Sequence, residues 1–243
     1  MNGSDHTVKR AIIMAAGIGK RMRPLTLEIP KPLVRVNGVR MIESVIEGLH
    51  KNGIYEIYIV VGYLKDQFKF LTDLYPDITL IDNPFYDTCN NISSLYVARE
   101  HLADSIILDG DQIIYDPSIL SPSFTLSGYN AVWCEEETNE WLLDVHDNTI
   151  RSCSRIGGSR GWQLYSISRW TDEDGKRLRR HVEAEFERGN RQIYWDDVAL
   201  FCYPEEYTLG IKSMDKDDIA EIDDLKELAA IDHHYDHLIQ TEV

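Results

Sequence analysis

A short apolar run near the N-terminus leads directly into a loop of small and basic residues, and this junction constrains the fold most. The run, residues 11–14 (Ala-Ile-Ile-Met), predicts a buried strand, and the small residues after it are Ala15, Ala16, Gly17 and Gly19. Because such residues have little or no side chain, the loop can bring backbone N–H groups close to a phosphate chain. The basic residues that follow are Lys20, Arg21, Arg23 and Lys31. The junction therefore predicts a polyphosphate site at the end of a strand in an α/β domain.

Two well-known phosphate loops do not fit this junction. The dinucleotide-binding pattern needs a third glycine, and Met22 occupies that position. A P-loop needs Ser or Thr after Gly-Lys, and Arg21 follows Lys20 instead. The loop is therefore of a different class.

The charge balance is strongly acidic, with 25 Lys and Arg against 41 Asp and Glu and a formal net charge of −16. Such a charge argues against nucleic acid or an anionic membrane as the partner. The phosphate site must then be a local positive region assisted by a metal ion. No apolar run approaches the length of a membrane span and the first ten residues lack a signal-peptide core, so we expect a cytoplasmic protein. The four cysteines are far apart, which gives neither a zinc motif nor a disulfide framework.

Strand and helix patterns alternate through the first half of the chain. Strands are predicted at 54–61, 78–81 and 105–108, and helices at 41–49, 64–74 and 91–102. This alternation predicts a doubly wound, mostly parallel, Rossmann-like sheet. The second half predicts a smaller antiparallel insertion (131–135, 142–146, 149–154 and 161–168) and two helices (173–188 and 223–238). We expect one α/β domain over residues 1–243, with a nucleotide-binding half at about 9–128 and an acceptor-binding half at about 129–243.

Three polar or glycine-rich positions follow predicted parallel strands. They are Gly17, Gly62 and the triplet Asp109-Gly110-Asp111. Ligands gather at the carboxyl ends of strands in such sheets, so these positions are expected to line one crevice. The aspartates offer the hard oxygen ligands that Mg²⁺ prefers, although such a pair also ends strands as a plain turn.

The residues around the loop also resemble a known family. Residues 9 to about 45, which include the later Pro-Lys-Pro-Leu at 30–33, resemble position by position the nucleotidyltransferases that join a nucleoside triphosphate to a phosphorylated metabolite. Four later stretches resemble bacterial CTP:phosphocholine cytidylyltransferases over essentially the whole chain: 90–96, 138–141, 194–197 and 221–223. The Glu-Lys-Pro typical of sugar-1-phosphate nucleotidyltransferases is missing from the sequence.

The resemblance implies Mg²⁺-dependent cytidylyl transfer from CTP to phosphocholine, giving CDP-choline and pyrophosphate. A phosphate oxygen would attack the α-phosphorus in line, without a covalent intermediate. No general base is needed, since a phosphate monoester has a second pKa of about 6. Lys31 would bridge the acceptor phosphate and the α-phosphate, and Arg21 would hold the departing phosphates. The implied nucleotide-binding residues are Ala15, Ala16, Gly17, Gly19, Arg21, Gly62, Asn90, Ser93 and Asp109.

The resemblance also implies the metal ligands and the acceptor site. The metal ligands are Asp111, Glu221 and Asp223, although Asp223 could instead cap the helix that follows it. The acceptor residues are Glu140, Trp141, Tyr194, Trp195 and Asp196, because aromatic faces and carboxylates hold a quaternary ammonium. These aromatic residues could equally be core packing. Asn91 is either close to the cytosine or the N-cap of a helix.

Alternatives stay open at this point. The acceptor could be another small zwitterion, such as 2-aminoethylphosphonate or phosphoethanolamine, since a pocket of rings and acids also holds a primary ammonium. A sugar 1-phosphate acceptor and a non-catalytic nucleotide-binding protein are more distant possibilities. The residues alone distinguish neither CTP from UTP nor one oligomeric state from another.

Overall fold

A nine-stranded mixed sheet runs through the computed structural model, which describes residues 6–239. The strands in chain order are β1 His6–Thr7, β2 Arg10–Ala15, β3 Arg35–Val36, β4 Val39–Arg40, β5 Glu56–Val61, β6 Ile78–Asp82, β7 Ser105–Asp109, β8 Gln112–Ile114, β9 Ser123–Phe124, β10 Gly128–Cys134, β11 Leu142–His146, β12 Thr149–Ser154, β13 Gly161–Trp170, β14 Gly210–Ser213 and β15 Ile219–Glu221. The α-helices are α1 Met41–Lys51, α2 Phe70–Leu74, α3 Ile92–Val97, α4 Asp172–Glu187, α5 Leu225–Ile231 and α6 Asp236–Ile239. The large sheet has the order β10-β14-β12-β11-β13-β7-β2-β5-β6.

The first half forms the parallel part of the sheet, as the alternating pattern predicts. Strand β2 is central there, with parallel β7 on one side and parallel β5 and then β6 on the other. Ile13 of β2 packs in one core cluster with α1, and its neighbour Ile12 packs in another with α3 and α4. Helices therefore cover both faces of the sheet, and the doubly wound α/β class is confirmed.

The antiparallel strands of the second half continue the same sheet. Strand β13 is ten residues long, and its C-terminal part, Ile167 to Trp170, pairs antiparallel with β7. Strand β10 pairs with β13 from Gly161 to Arg169, and β11 pairs with its N-terminal part, so one strand joins the two halves. The open crevice lies where β2 and β7 end, beside the middle of β13.

Three predicted helices are shorter or broken. The 64–74 segment is a 3₁₀ turn, Lys65–Phe68, followed by α2, and the 91–102 segment is α3 followed by a 3₁₀ turn, Arg99–His101. The 223–238 segment breaks at Asp232, whose carboxylate accepts a hydrogen bond from the backbone N–H of His234. Helix α5 begins after Asp224, which accepts from the N–H groups of Lys226 and Glu227. The cap is therefore Asp224 and not Asp223, which leaves the Asp223 carboxylate available to the crevice.

No helix between residues 6 and 239 combines the length and the apolar character that crossing a bilayer requires.

Candidate functional site

The glycine-containing loop begins where β2 ends and folds back over the crevice. Gly19 has φ 65°, a left-handed conformation that favours glycine, and a Cβ there would lie 3.1 Å from both Lys31 Cβ and Thr26 Cγ2. The Thr26 hydroxyl donates a hydrogen bond of 2.7 Å to the Gly19 carbonyl. Gly19 is thus required both for the turn and for the close approach of the segment that carries Lys31.

The loop lines a first cavity of about 420 Å³. Its lining residues are Met14, Ala15, Gly17, Ile18, Gly19, Lys20, Arg21, Lys31, Pro32, Tyr86, Asp111 and Asp223. The loop residues predicted to bind phosphate therefore face one space, apart from Ala16, which is buried beside it. Gly62 lies behind this wall, where a Cβ would clash at 2.6 Å with Tyr86 Cβ. Sequence analysis missed Tyr86, because no motif marks it.

Lys31 is the central cation of the crevice and is only 7% exposed. Its Nζ lies 2.5 Å from Asp111 Oδ2 and 2.8 Å from Asp223 Oδ1. Burial alone would lower the pKa of Lys31, but these two carboxylates outweigh it and raise that pKa above its ordinary value. Arg21 Nη2 lies 3.0 Å from the same oxygen of Asp223. Burial tends to raise the pKa of Asp223, but Lys31 and Arg21 lower it overall, so this carboxylate stays ionised.

Three carboxylates form a cluster beside Lys31. One oxygen from each of Asp109, Asp111 and Glu221 lies within 4.8 Å of the other two. Strand β7 ends at Asp109, and the pairing of Glu221 with Gln112 brings the end of β15 to the same place. Burial, followed by repulsion from neighbouring carboxylates, raises the pKa of Asp109 and of Glu221 well above the ordinary values. Asp111 Oδ1 is buried and has no hydrogen-bond partner among residues 6–239.

This cluster fits a divalent cation, because hard, partly buried and incompletely paired carboxylate oxygens are what Mg²⁺ binds. Its membership differs from the predicted set at one position. The structure groups Asp111 and Glu221 with Asp109, which was predicted to bind nucleotide, while Asp223 contacts Lys31 and Arg21.

A second cavity of about 290 Å³ adjoins the first and shares Arg21, Asp111 and Asp223 with it. The rest of its lining is Asn91, Asp109, Glu140, Trp141, Leu164, Ser166, Tyr194, Asp196 and Glu221. The rings of Trp141 and Tyr194 meet at 86°, with their centroids 5.7 Å apart. Leu164 and Ser166, which sequence analysis missed as site residues, come from β13, the strand predicted at 161–168 and observed at Gly161–Trp170.

A cation already contacts one of these aromatic residues. The guanidinium of Arg155 lies 5.4 Å from the Trp141 ring centroid and 3.9 Å from that of Phe201. It also forms an ion pair of 2.5 Å with Asp197 Oδ1. Arg155 carries no sequence signal, because its partners meet it only in three dimensions.

Trp195 does not line the second cavity. It is 1% exposed, and its ring packs on Tyr129 and Trp170, with centroids 6.0 and 6.5 Å away. Trp195 is therefore a core residue in the structure, which is the alternative given above to its predicted acceptor-binding role. Its neighbour Asp196 does line the cavity and is itself buried, and Asp196 Oδ1 has no hydrogen-bond partner in the described part of the chain. Burial, with the Asp197 carboxylate next in effect, raises the pKa of Asp196 to about 8.

The predicted cytosine-binding residues are mostly committed to internal hydrogen bonds. Asn90 donates to the Gln192 carbonyl at 3.2 Å and accepts from the Asn91 N–H, while Ser93 Oγ donates to the Asn90 carbonyl at 2.8 Å. Asn91 lines the second cavity, but its Oδ1 accepts from the Trp195 N–H and does not cap α3. The side chains of Asn90 and Ser93 therefore shape this wall from behind.

Comparison with known proteins agrees with this architecture. Residues 10–119 match the family model described as nucleotidyl transferase. The chain is 39% identical to 2-aminoethylphosphonate cytidylyltransferase of Lancefieldella rimae over 99% of each chain. It is 33% identical to choline-phosphate cytidylyltransferase of Streptococcus pneumoniae, covering 90% of this chain and 94% of the relative. The solved structure of CTP:phosphocholine cytidylyltransferase from Streptococcus pneumoniae aligns with a TM-score of 0.87 at 33% identity, over 94% of this chain and 99% of that one. The chain therefore belongs to the nucleotidyltransferase family, among its cytidylyltransferases.

Proposed function

We propose that the protein transfers the cytidylyl group of CTP to a small zwitterion that carries a primary ammonium, 2-aminoethylphosphonate, and releases pyrophosphate. The observation that carries this choice is Asp196, a buried carboxylate in the second cavity whose Oδ1 makes no hydrogen bond of normal geometry within residues 6–239, although the Tyr129 hydroxyl is close enough to lower its pKa in part. A primary ammonium supplies N–H donors to such an oxygen, whereas a quaternary ammonium has none.

The two cavities divide the substrates between them. The first would take the triphosphate, with loop N–H groups and Arg21 against the phosphates. The second would take the acceptor, with its ammonium towards Asp196 and Glu140 and its phosphonate towards Lys31. Since a phosphate monoester has a second pKa of about 6 and a phosphonate is likewise ionised near neutral pH, the acceptor oxygen needs no general base. It attacks the α-phosphorus in line and pyrophosphate leaves.

Lys31 lines the first cavity and is held by Asp111 and Asp223, two carboxylates that line both cavities. Its fixed positive charge can stabilise the negative charge that accumulates on the transferring phosphoryl group. Asp109, Asp111 and Glu221 would hold Mg²⁺. When bound, this ion would neutralise part of the negative charge of the phosphates.

Ring faces are scarce around the acceptor space, which also favours a primary ammonium. Trp195 is buried in the core, and Arg155 already lies over Trp141. A quaternary ammonium would leave Asp196 unpaired, and an unsatisfied buried polar group costs about 1–3 kcal/mol. The 39% identity to the 2-aminoethylphosphonate enzyme, against 33% for the choline-phosphate enzyme, supports the same choice.

Phosphocholine is the second candidate acceptor. The perpendicular rings of Trp141 and Tyr194 could hold a trimethylammonium group, at roughly 0.5–2 kcal/mol for each ring. The structural match to the phosphocholine enzyme supports it as well. The chemistry at Lys31 would be the same for both acceptors.

The test is pyrophosphate release with CTP and Mg²⁺ and one acceptor at a time: 2-aminoethylphosphonate, phosphoethanolamine, phosphocholine or glucose 1-phosphate. An unpaired Asp196 predicts a kcat/KM for 2-aminoethylphosphonate roughly 5- to 150-fold above that for phosphocholine. The Asp196→Asn variant should lose most of this preference. A preference for phosphocholine by the unmodified protein would reject the primary-ammonium proposal, and release with UTP as fast as with CTP would reject cytidylyl specificity.

A separate titration tests the metal site. Asp111→Asn should abolish activity or raise the Mg²⁺ concentration needed for half-maximal activity, because it removes one charged ligand. The matched control is Asp73→Asn, an exposed aspartate of α2 that lines neither cavity. An unchanged Mg²⁺ requirement in Asp111→Asn would exclude this cluster as the metal site.

A further inference from the structure

A third cavity of about 280 Å³ lies where β10, β13 and β14 meet, and it shares no lining residue with the two described above. Its walls include the apolar side chains of Phe124, Leu126 and Ile211 and the charged side chains of Arg169 and Lys212. No carboxylate is among its lining residues. In a chain with a net charge of −16, a cavity whose charged residues are all cations is unusual.

Arg169 is 2% exposed, yet its hydrogen-bond acceptors within residues 6–239 are all neutral. Its Nε donates to the Ser121 carbonyl at 2.9 Å, Nη1 to Asn130 Oδ1 at 2.6 Å, and Nη2 to the Ile119 carbonyl at 2.5 Å. These contacts fix the guanidinium but do not neutralise it. A buried charge is normally paired with an opposite one, because the cost of removing it from water is large.

Lys212 adds a second cation beside it. The strand register pairs Lys212 with Asn130, the residue to which Arg169 donates, and Lys212 forms no ion pair within residues 6–239. Burial, followed by repulsion from Arg169, lowers the pKa of Lys212 to about 8. The two charges therefore destabilise each other until an anion joins them.

We propose that this cavity is a binding site for a small phosphate-class dianion, with its oxygens against Lys212 and Arg169 and any short organic group against Phe124 and Leu126. Two cations match the charge of a phosphate near neutral pH, where it carries about −1.5 to −2. The cavity of about 280 Å³ has room for such an anion, since one water occupies only about 30 Å³ in the liquid.

The test is a titration of the ¹⁵N-labelled protein with inorganic phosphate at constant ionic strength, followed by NMR. The active-site loop also binds phosphate in the proposed function, so the amide signals of Gly17 and Gly19 report that site separately. Saturable shifts at Gly128 and Gly210 report the cavity. A second titration with glycerol 3-phosphate shows whether an organic group adds affinity, and tighter binding of this ester would assign the apolar wall to that group.

Lys212→Met should weaken the cavity event roughly tenfold, the loss expected for one charge-assisted contact, and leave the loop event unchanged. Lys212→Arg should keep it. Lys51→Met is the matched control, because Lys51 is exposed and forms no ion pair in the described part of the chain. Absence of saturable shifts at Gly128 and Gly210, or equal affinity in Lys212→Met, would overturn the proposal.

Discussion

Replacing Lys31 with methionine is the sharpest perturbation of the crevice, because the two side chains are similar in length and only the charge is lost. The ammonium makes two contacts with carboxylates, at 2.5 and 2.8 Å. Breaking a fully buried pair costs about 3–5 kcal/mol. The side chains of Asp111 and Asp223 are 22% and 30% exposed, and Arg21 still contacts Asp223, so we expect a stability loss of about 2–3 kcal/mol.

The loss of activity should be larger than the loss of binding. Removing one preorganised group that stabilises developing charge lowers kcat by about 10²–10³-fold. In contrast, the Kd for CTP should change little, because Arg21 and the loop N–H groups still hold the phosphates. Pyrophosphate release gives kcat, titration calorimetry gives the Kd, and scanning calorimetry shows that the variant is folded at the assay temperature.

Lys20→Met is the internal control for this variant. Lys20 lines the same cavity but is exposed and has no ion pair within residues 6–239, so its loss should affect CTP affinity more than kcat. A folded Lys31→Met variant with a kcat within tenfold of the unmodified protein would refute the role given to Lys31. So would a Kd for CTP that weakens as much as kcat falls, since Lys31 would then be a ground-state binding residue.

Three further predictions concern other residues of the site. Gly19→Ala should destabilise the protein by at least about 1–2 kcal/mol in thermal unfolding, because of its positive φ and the 3.1 Å approach to Lys31. Gly17→Ala is its control, since a Cβ at Gly17 meets nothing within 4 Å. Trp141→Ala should raise the KM for the acceptor with CTP handling nearly intact, whereas the equivalent change at Trp195 should cost about 3–5 kcal/mol of stability and leave no specific acceptor defect. The raised pKa of Asp196 means that the folded state binds this proton more tightly than the unfolded chain does. The contribution of Asp196 to stability is therefore lost as pH rises from the ordinary value of 3.8 through about 8. Asp196→Asn should make the Tm less dependent on pH over this window, and an unchanged profile would contradict the assignment.

The parts of the fold that the sequence predicts are those set by local pattern. The strand at 11–14, the small residues after it and the helix that begins at Met41 all follow from neighbours a few positions apart. The breaks at Asp232 and after Val97 do not, because both segments keep helical spacing of apolar residues across the break. A carboxylate that caps the next turn decides the first of these cases.

The site shows the same division between local and long-range information. Tyr194 and Trp195 are adjacent and chemically alike, yet the first is 49% exposed and the second 1%. Their surroundings differ because Tyr129 and Trp170, distant in sequence, cover the Trp195 ring. Likewise, the contact between Lys31 and Asp223 spans 192 positions. No pattern in either segment alone indicates that the aspartate holds the lysine.

The electrostatics of the crevice link nucleotide and metal binding. Asp109, Asp111, Glu221 and Asp223 face a region in which Lys31 and Arg21 are the cations that contact a carboxylate, while Lys20 is exposed at its wall. A triphosphate that entered this region without a divalent cation would meet an excess of like charge, at an effective dielectric where a pair 4 Å apart interacts by about 4 kcal/mol. The high pKa values of Asp109 and Glu221 come first from burial and then from the same repulsion between carboxylates in the free protein. CTP should therefore bind weakly without Mg²⁺. Removing one carboxylate of the cluster by Asp109→Asn should make CTP affinity less dependent on Mg²⁺, even as catalysis is lost. This outcome would separate the electrostatic barrier to CTP binding from the chemistry at Lys31.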